Sequence, residues 1–366
     1  MTDRYHSIDI IKGIAMIMVI LVHYGQCFDL DVGYALQYCR MGCPIFFVAS
    51  GFGIMILLYK RYNGELNSKN IFDFYYSRMK ALVPGWYAGI FIVFAVNTLM
   101  VLAVGRTLDF GYNRGSVSIL CNALFLHGLL PFCNNNVVLG GWYIGTAVIL
   151  YLITPLILST MKLFSNRRLF FLVSSIICLI FWVALLLVFK ERFTNNDFYY
   201  YFFTIHYPEY LLGIMLFFDY KEGKLTEKKD ANHLIVGVFI LMVAVVLYFM
   251  LPHQVAQILS AWATALSTYF ILQYMLIREK NNRDIYSKTL ESFGRSSYYI
   301  FLMHGFFAYS LTKFLLEFSG KSGIHQLFIF YILMPIVMAL SFLAGKTLQI
   351  FITRLHKIEL KHLNKT

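Results

Sequence analysis

The feature that most restricts how this chain can fold is a series of ten apolar stretches, each about as long as a helix that crosses a lipid bilayer. They cover residues 8–27, 41–60, 83–104, 141–160, 168–189, 200–219, 233–251, 256–277, 296–318 and 326–352. Lipid offers the backbone amides no water to bond with, so stretches of this length cross it as helices. The sequence therefore predicts an all-α polytopic membrane protein with about ten transmembrane helices.

Composition excludes a soluble globule. Of the 366 residues, 59% are hydrophobic and only 14% are charged, whereas a typical soluble chain carries about 25% charged residues. So few ionisable groups do not cover a surface that faces water. The net charge of +12 would suggest nucleic acid in a soluble protein, but in a membrane protein it reports on orientation. We therefore expect no nucleic-acid partner.

Lys and Arg are distributed unevenly between the two sides of the predicted bundle. With both termini on the inner side, the inner segments hold 22 of these residues and the outer segments hold six. Cytoplasmic loops are enriched in Lys and Arg, so we expect both termini to be cytoplasmic. No linker, low-complexity tract or cleavable signal peptide interrupts the pattern. Residues 1–366 are expected to form a single membrane domain.

One further apolar segment, residues 116–132, does not fit the series of spans. It is short, carries His127 and reaches Pro131 near its end. A crossing here would also make the number of spans odd. We predict a re-entrant or partly buried loop on the outer side.

Four cysteines, Cys39, Cys43, Cys121 and Cys133, also fall on the outer side. An oxidising compartment would permit disulfides there, but the sequence does not indicate which residues pair. Neither their spacing nor the position of His127 matches a standard zinc pattern, so we expect no metal.

The first span carries two polar side chains that lipid does not favour. Lys12 and His23 are eleven residues apart. At 100° per residue this spacing puts both on one helix face, about 16 Å apart along the axis. Such residues are paired, face a cavity or take part in function. Taken alone, the spacing is equally consistent with a Lys12 that snorkels to the interface and a His23 that only packs.

Other spans contain isolated polar or aromatic residues. Ser50 lies beside a glycine, which by itself indicates close helix packing. Arg78 and Trp142 lie where positive-inside charge and an interfacial aromatic belt are ordinary. Glu209 lies about half-way into the sixth span and His304 two turns into the ninth. A carboxylate at that depth indicates a function or a specific partner.

In combination, these residues resemble the acyltransferase-3 family of membrane acyltransferases. The matching features, in family order, are the Lys12/His23 pair, residues 46–52, Arg78 in the basic run before Pro84, Trp142 with Tyr151 and Pro155, Glu209 with Gly213, and residues 297–304. The chain departs from the family pattern at two positions. Ala147 stands where many members have a glutamate, and Ala81 stands where the basic run usually has a cation.

The resemblance implies an enzyme of the bacterial inner (cytoplasmic) membrane that acylates a surface polysaccharide, a lipid-linked glycan or peptidoglycan. It also implies an acyl-coenzyme A donor, with acetyl as the default acyl group. Lys12, Ser50, Arg78 and Arg295 are then expected to bind the donor from the cytoplasmic side. Membrane lipid surrounds the enzyme, and its oligomeric state is left open.

The same resemblance assigns the remaining site residues. Glu209, Trp142 and Tyr298 are expected to bind the acceptor. A neutral histidine is suited to remove a hydroxyl proton near pH 7, so His23 is the expected general base. His304 is the second expected catalytic residue, which binds the thioester, orients His23 or carries a transient acyl group.

Two other functions fit a bundle with buried polar groups. One is a transporter or flippase for a glycan precursor, since polar residues inside spans also line transport pathways. The other is a non-catalytic subunit for polysaccharide assembly or export. The sequence shows no inverted repeat of the kind that many transporters have.

Overall fold

A computed structural model describes residues 5–105, 115–130, 133, 137–193, 198–225, 230–280, 287–317 and 323–363. Within these ranges the chain is helical and contains no β-strand. The predicted all-α polytopic fold is confirmed. Residues 131–132 and residue 318, at the ends of two predicted segments, lie outside the described residues.

The helices, in chain order, are α1 (His6–Gly25), α2 (Asp31–Ala35), α3 (Gly42–Tyr62), α4 (Ser68–Val104), α5 (Ser116–Ala123), α6 (Trp142–Met161), α7 (Arg167–Phe193), α8 (Phe198–Tyr201), α9 (Phe203–Lys221), α10 (Asp230–Met250), α11 (His253–Lys280), α12 (Lys288–Gly305), α13 (Thr312–Glu317) and α14 (Gly323–Leu363). A 3₁₀ turn, Leu36–Met41, leads into α3. A π-helical turn, Phe306–Leu311, joins α12 to α13.

Nine helical segments of the described chain are long and apolar enough to cross a membrane: α1, α2 continued by α3, α4, α6, α7, α10, α11, α12 continued by α13, and α14. The tenth predicted span, residues 200–219, corresponds to α9. This helix has 19 residues but includes Glu209, Asp219 and Lys221, which lower its hydropathy. Most of α9 is buried among other helices, so its polar groups face protein rather than lipid.

The bundle separates into inner and peripheral helices. α1, α3, α6 and α9 bury most of their residues, whereas α7, α10 and α14 leave large apolar side chains exposed. Leu187 of α7 is 78% exposed and Phe328 of α14 is 67% exposed. Such exposure is expected where side chains contact lipid tails instead of water. The inner helices therefore provide the surroundings in which polar groups can be held.

Glycines bring α3 and α9 into backbone contact. A methyl group on Gly51 would lie 2.2 Å from the carbonyl oxygen of Tyr210, and one on Gly213 would lie 2.0 Å from that of Val48. Both distances are far below van der Waals contact. No side chain larger than hydrogen fits at either position without separating the two helices.

A second glycine contact joins α1 to α12. A methyl group on Gly13 would lie 2.1 Å from the carbonyl oxygen of Leu290, and one on Gly294 would lie 1.8 Å from that of Asp9. The two helices pass closest near their first turns. From there both continue to their last turns, which carry His23 and His304.

Residues 116–130 fold as a short helix and a turn that pack against α6. α5 has eight residues, and a 3₁₀ turn, Leu126–Gly128, follows it. His127 is fully buried and donates a hydrogen bond from Nε2 to the carbonyl oxygen of Gly141 over 3.0 Å. The prediction that this segment is partly buried and does not span is confirmed for the described residues.

Candidate active site

His23 and His304 lie side by side, although 281 residues separate them in the chain. α1 presents His23 in its last turn, and α12 presents His304 in its last turn. The centroids of the two rings are 5.2 Å apart and the ring planes are inclined by 42°. The two residues expected to be catalytic therefore belong to one site.

The hydrogen bonds of His304 define which ring nitrogen is available. Nδ1 lies 2.6 Å from the carbonyl oxygen of Phe301. A carbonyl oxygen only accepts, so Nδ1 carries the proton, and Nε2 of the neutral ring has a free lone pair. Nε2 is buried and has no hydrogen-bond partner among the described residues. A buried polar atom of this kind is suited to a substrate atom or a water molecule.

His23 is arranged in the same way. Its Nδ1 lies 3.1 Å from Oε1 of Gln26, one turn further along the chain. With an oxygen facing it, Nδ1 donates, and Nε2 is left as the proton acceptor. The His23 ring is half-buried, whereas His304 is fully buried. Of the two imidazoles, His23 is thus the more accessible.

A π-helical turn follows His304 directly. Phe306–Leu311 has the wider π geometry, which often occurs at functional sites because it leaves backbone carbonyls without their usual partners. Sγ of Cys27 lies 3.5 Å from the carbonyl oxygens of Ala308 and Tyr309. Cys27 comes four residues after His23, so this contact ties the end of α1 to the turn beyond His304.

Glu209 and His206 form a second buried group on α9. Both are fully buried, and Nδ1 of His206 lies 2.8 Å from Oε2 of Glu209. Nε2 of His206 lies 2.7 Å from the carbonyl oxygen of Tyr200 and must donate to it. The proton between Nδ1 and Oε2 belongs either to the imidazole or to the carboxyl group, and the pair is neutral in both cases. Oε1 of Glu209 has no partner among the described residues.

Trp142 packs against this pair. Its ring stacks on His206, with centroids 5.2 Å apart, and on Tyr201, with centroids 4.8 Å apart. Phe47 of α3 also stacks on His206, at 4.6 Å. Trp142 is only 6% exposed. A sugar would reach its face only after Tyr201 moves, so the expected stacking role stays a prediction.

Arg40 connects the two groups. It lies in the 3₁₀ turn before α3, with its guanidinium carbon 5.5 Å from the centre of the Tyr200 ring. Its charge also acts on His23 and on Cys43. Sequence reasoning does not single out Arg40. Its position is the only signal in the sequence, because cations are scarce on the outer side and this one lies just before a span.

The residues expected to bind the donor lie toward the opposite end of the bundle. Lys12 is half-buried in α1. The Arg295 guanidinium lies 3.9 Å from the Glu291 carboxylate. Arg78 is half-buried in α4 beside Tyr151, and its Nε has no hydrogen-bond partner among the described residues.

Ser50 and Tyr298 join helices. Oγ of Ser50 lies 3.4 Å from the Tyr143 hydroxyl, linking α3 to α6. The Tyr298 hydroxyl donates to the carbonyl oxygen of Leu82 over 2.6 Å, linking α12 to α4. Their expected contacts with donor and acceptor stay predictions.

The described residues contain no group of three or more His, Cys, Asp or Glu side chains that could hold a metal ion. All six cysteines are free thiols. The ionisable side chains described above include imidazoles, a carboxyl group and a guanidinium. Such groups can transfer protons and stabilise developing charge.

Comparison with known proteins decides the family. A model of the acyltransferase-3 family, described as an acyltransferase domain, matches residues 5–346. The chain belongs to the acyltransferase-3 family. No curated protein and no solved structure matches it. The match covers nearly all of the acyltransferase, including the nine residues expected to form its site, and the apolar helices make it a multi-pass membrane enzyme.

Proposed function

We propose that this acyltransferase moves an acyl group, acetyl in the simplest case, from acyl-coenzyme A to a hydroxyl group of a cell-envelope glycan. The supporting observation is the pair of imidazoles, His23 and His304. In both rings Nδ1 donates a hydrogen bond, so the lone pair of Nε2 can accept a proton. A hydroxyl group is a poor nucleophile until a base removes its proton, and a neutral imidazole is such a base.

In the proposed reaction, Nε2 of His23 takes the proton of the acceptor hydroxyl as its oxygen attacks the thioester carbonyl carbon. The tetrahedral intermediate then expels the coenzyme A thiolate, which receives the proton from the His23 imidazolium. The products are an ester and free coenzyme A, and His23 returns to its neutral form. Arg40, whose charge reaches His23, would stabilise the negative charge on the carbonyl oxygen.

His304 is proposed to orient the reacting groups. Its ring is fixed by the bond to the Phe301 carbonyl, and its unpartnered Nε2 faces a buried environment. A hydrogen-bond donor on the acceptor sugar would satisfy this atom. The proposed transfer to the hydroxyl is direct, with His23 as the base and no acyl group carried by the protein.

Donor and acceptor are proposed to approach from opposite ends of the bundle. Lys12, Arg78 and Arg295, with Ser50 deeper in the bundle, would contact the donor from the cytoplasmic end, where cations attract its phosphates. Glu209, with its unpartnered Oε1, would accept a hydrogen bond from a sugar hydroxyl. Trp142 and Tyr298 would line the acceptor side. The inner membrane of a bacterium provides this arrangement of substrates.

The test compares the surface glycans of a strain lacking the gene with those of the same strain carrying the wild-type gene. Mass spectrometry of the purified glycans should show ester-linked acyl groups only when the gene is present, with equal glycan yield in both strains. Loss of the glycan itself, with the acyl groups of the remaining material intact, would contradict the proposal and favour transport or export.

A further inference from the structure

A cavity opens near the cytoplasmic end of the bundle, away from the two histidines. It measures about 520 Å³, within the usual range for sites that hold organic ligands. α3, α6 and α9 form its walls, and the connection between α6 and α7 forms part of its rim. Nothing in the reaction described above uses it.

The rim of this cavity is strongly cationic. Lys162, Arg167, Arg168 and Lys224 lie among its described lining residues, with Asp219 as the only carboxylate among them. The N-terminus of the 27-residue helix α7 also lies here, since α7 begins at Arg167. Cations and a helix N-terminus favour the same class of ligand, an anion such as a phosphate.

The four cations are not equivalent. Arg167 pairs with Glu222, whose carboxylate also lies 2.7 Å from Lys224. Hydrogen bonds from Lys224 and Arg167 hold the pKa of Glu222 below its usual range, so this carboxylate stays charged. Lys162 and Arg168 take part in no ion pair within the described residues. Both are exposed at the rim and are available to an anionic ligand.

The remainder of the cavity is aromatic and apolar. Tyr59, Phe164 and Phe218 line it together with Met55 and Met215. The Arg167 guanidinium lies over the Phe218 ring, and the Lys221 ammonium lies over the Tyr59 ring. A ligand that fits this lining carries phosphates at one end and an apolar or aromatic group beside them. A nucleotide has this combination, whereas inorganic phosphate uses only the rim.

The helices that line the cavity also carry Glu209 and residues packed around it. Met215 and Glu209 are six residues apart on α9, which is about 9 Å along the helix axis. α3 and α6 supply the other walls. They carry Phe47 and Trp142, which pack around the His206–Glu209 pair. The cavity and the group around Glu209 therefore share three helices.

We infer that this cavity binds the 3′-phosphorylated nucleotide end of the acyl-coenzyme A donor, with Lys162 and Arg168 contacting its 3′-phosphate and the diphosphate left to the cations named above. The inference rests on the proposed function, because the donor class comes from that proposal. It adds an anchoring site that contains none of the residues expected from the sequence. An anionic lipid headgroup shares the phosphate chemistry, and the experiment separates the two ligands.

The experiment measures coenzyme A binding to the full-length protein in nanodiscs made only of zwitterionic lipid. The Lys162→Gln/Arg168→Gln double variant should bind coenzyme A at least tenfold more weakly than the wild type. Wild-type protein should prefer coenzyme A to 3′-dephospho-coenzyme A, and the double variant should lose that preference. Lys357→Gln removes an exposed cation of α14 outside the cavity and should leave binding unchanged.

A Glu222→Gln variant tests the same site in the opposite direction. It would release Arg167 for the ligand and leave Lys224 with Asp219 as its remaining partner, so coenzyme A should bind about threefold more tightly. General damage to the protein does not produce tighter binding. Equal or weaker binding by this variant would count against the inference.

The outcomes separate the inference from the proposed function. Equal affinity of the wild type and the double variant for coenzyme A would overturn the cavity assignment and leave the donor class intact. Absence of coenzyme A binding by folded wild-type protein would instead overturn the donor class. The double variant could also differ from the wild type in coenzyme A binding only when phosphatidylglycerol is added to the nanodiscs. That result would assign the cavity to an anionic lipid and overturn the inference.

Discussion

At the scale of single residues, the site depends on which atoms are left without partners. Nε2 of His304 and Oε1 of Glu209 are both buried and unpartnered among the described residues. A buried polar atom without a partner costs about 1–3 kcal/mol, so we expect a substrate atom or a water molecule to bond to each of them. The other polar atom of each side chain has a hydrogen-bond partner, which fixes the position of the side chain.

The sequence identifies some of these residues and not others. His206 precedes Glu209 by three residues, a spacing that places both on one helix face, so this pair could have been predicted. The proximity of His23 and His304 is suggested only by the family resemblance, since it depends on how α1 and α12 cross. Arg40 interacts electrostatically with His23 from a 3₁₀ turn, and the sequence does not predict where this turn places the side chain.

Replacing Glu209 with Gln tests its role at the acceptor end. The change removes the proton-sharing partner of His206 and replaces the carboxyl group at the unpartnered Oε1 position with an amide. We expect transfer to an acceptor glycan to fall about 10- to 100-fold, which corresponds to about 1.5–3 kcal/mol, the cost of leaving a buried polar group without its partner. Coenzyme A binding should be unchanged.

The matched control for this prediction is Glu65→Gln, which alters an exposed carboxylate between α3 and α4. It should retain wild-type transfer. A Glu209→Gln protein that is folded and transfers acyl groups at the wild-type rate would remove Glu209 from the site.

At the scale of helices, close packing explains why polar residues can be held inside the bundle. α9 is less apolar than the other predicted spans, and its contact with α3 through Gly51 and Gly213 keeps it within protein. The apolar pattern predicts where this helix lies but not that it avoids lipid. The π-helical turn Phe306–Leu311 has no signal in the apolar pattern.

Gly213→Ala tests the α3–α9 contact. Its methyl group would lie 2.0 Å from the Val48 carbonyl oxygen, so the helices must separate. Overpacking of this kind costs about 1–3 kcal/mol or more, and we expect a lower thermal unfolding midpoint in detergent. Gly53→Ala is the control, because a methyl group there meets nothing within 4 Å. An unfolding midpoint for Gly213→Ala equal to that of the control would contradict the contact.

At the scale of the whole molecule, orientation follows from the distribution of charge. The 22 inner and six outer cations predict that both termini and the cavity rim face the cytoplasm, where acyl-coenzyme A is found. Hydropathy therefore predicts the helices, and the distribution of charge predicts their direction. They do not fix the arrangement of helices around the site, which depends on the glycine contacts between α1, α3, α9 and α12.

Labelling of introduced cysteines tests this orientation. Tyr34 in α2 is 57% exposed and lies on the predicted outer side, and Leu163 after α6 is 83% exposed and lies on the predicted inner side. A membrane-impermeant maleimide added to intact cells with a permeable outer membrane should label Tyr34→Cys. It should label Leu163→Cys only after the inner membrane is opened. The reverse pattern would place the cavity on the wrong side for the donor.

His23 is proposed to remove the proton from the acceptor hydroxyl, and rates measured on purified protein test this claim. Coenzyme A release from acetyl-coenzyme A is measured with cell-envelope glycan present, for wild-type, His23→Ala and His253→Ala proteins of equal thermal stability. His253 is an exposed histidine at the start of α11, and its replacement should leave the rate unchanged. Loss of a general base predicts a fall of about 100-fold or more for His23→Ala, with coenzyme A binding retained. A wild-type rate in folded His23→Ala protein would contradict the claim.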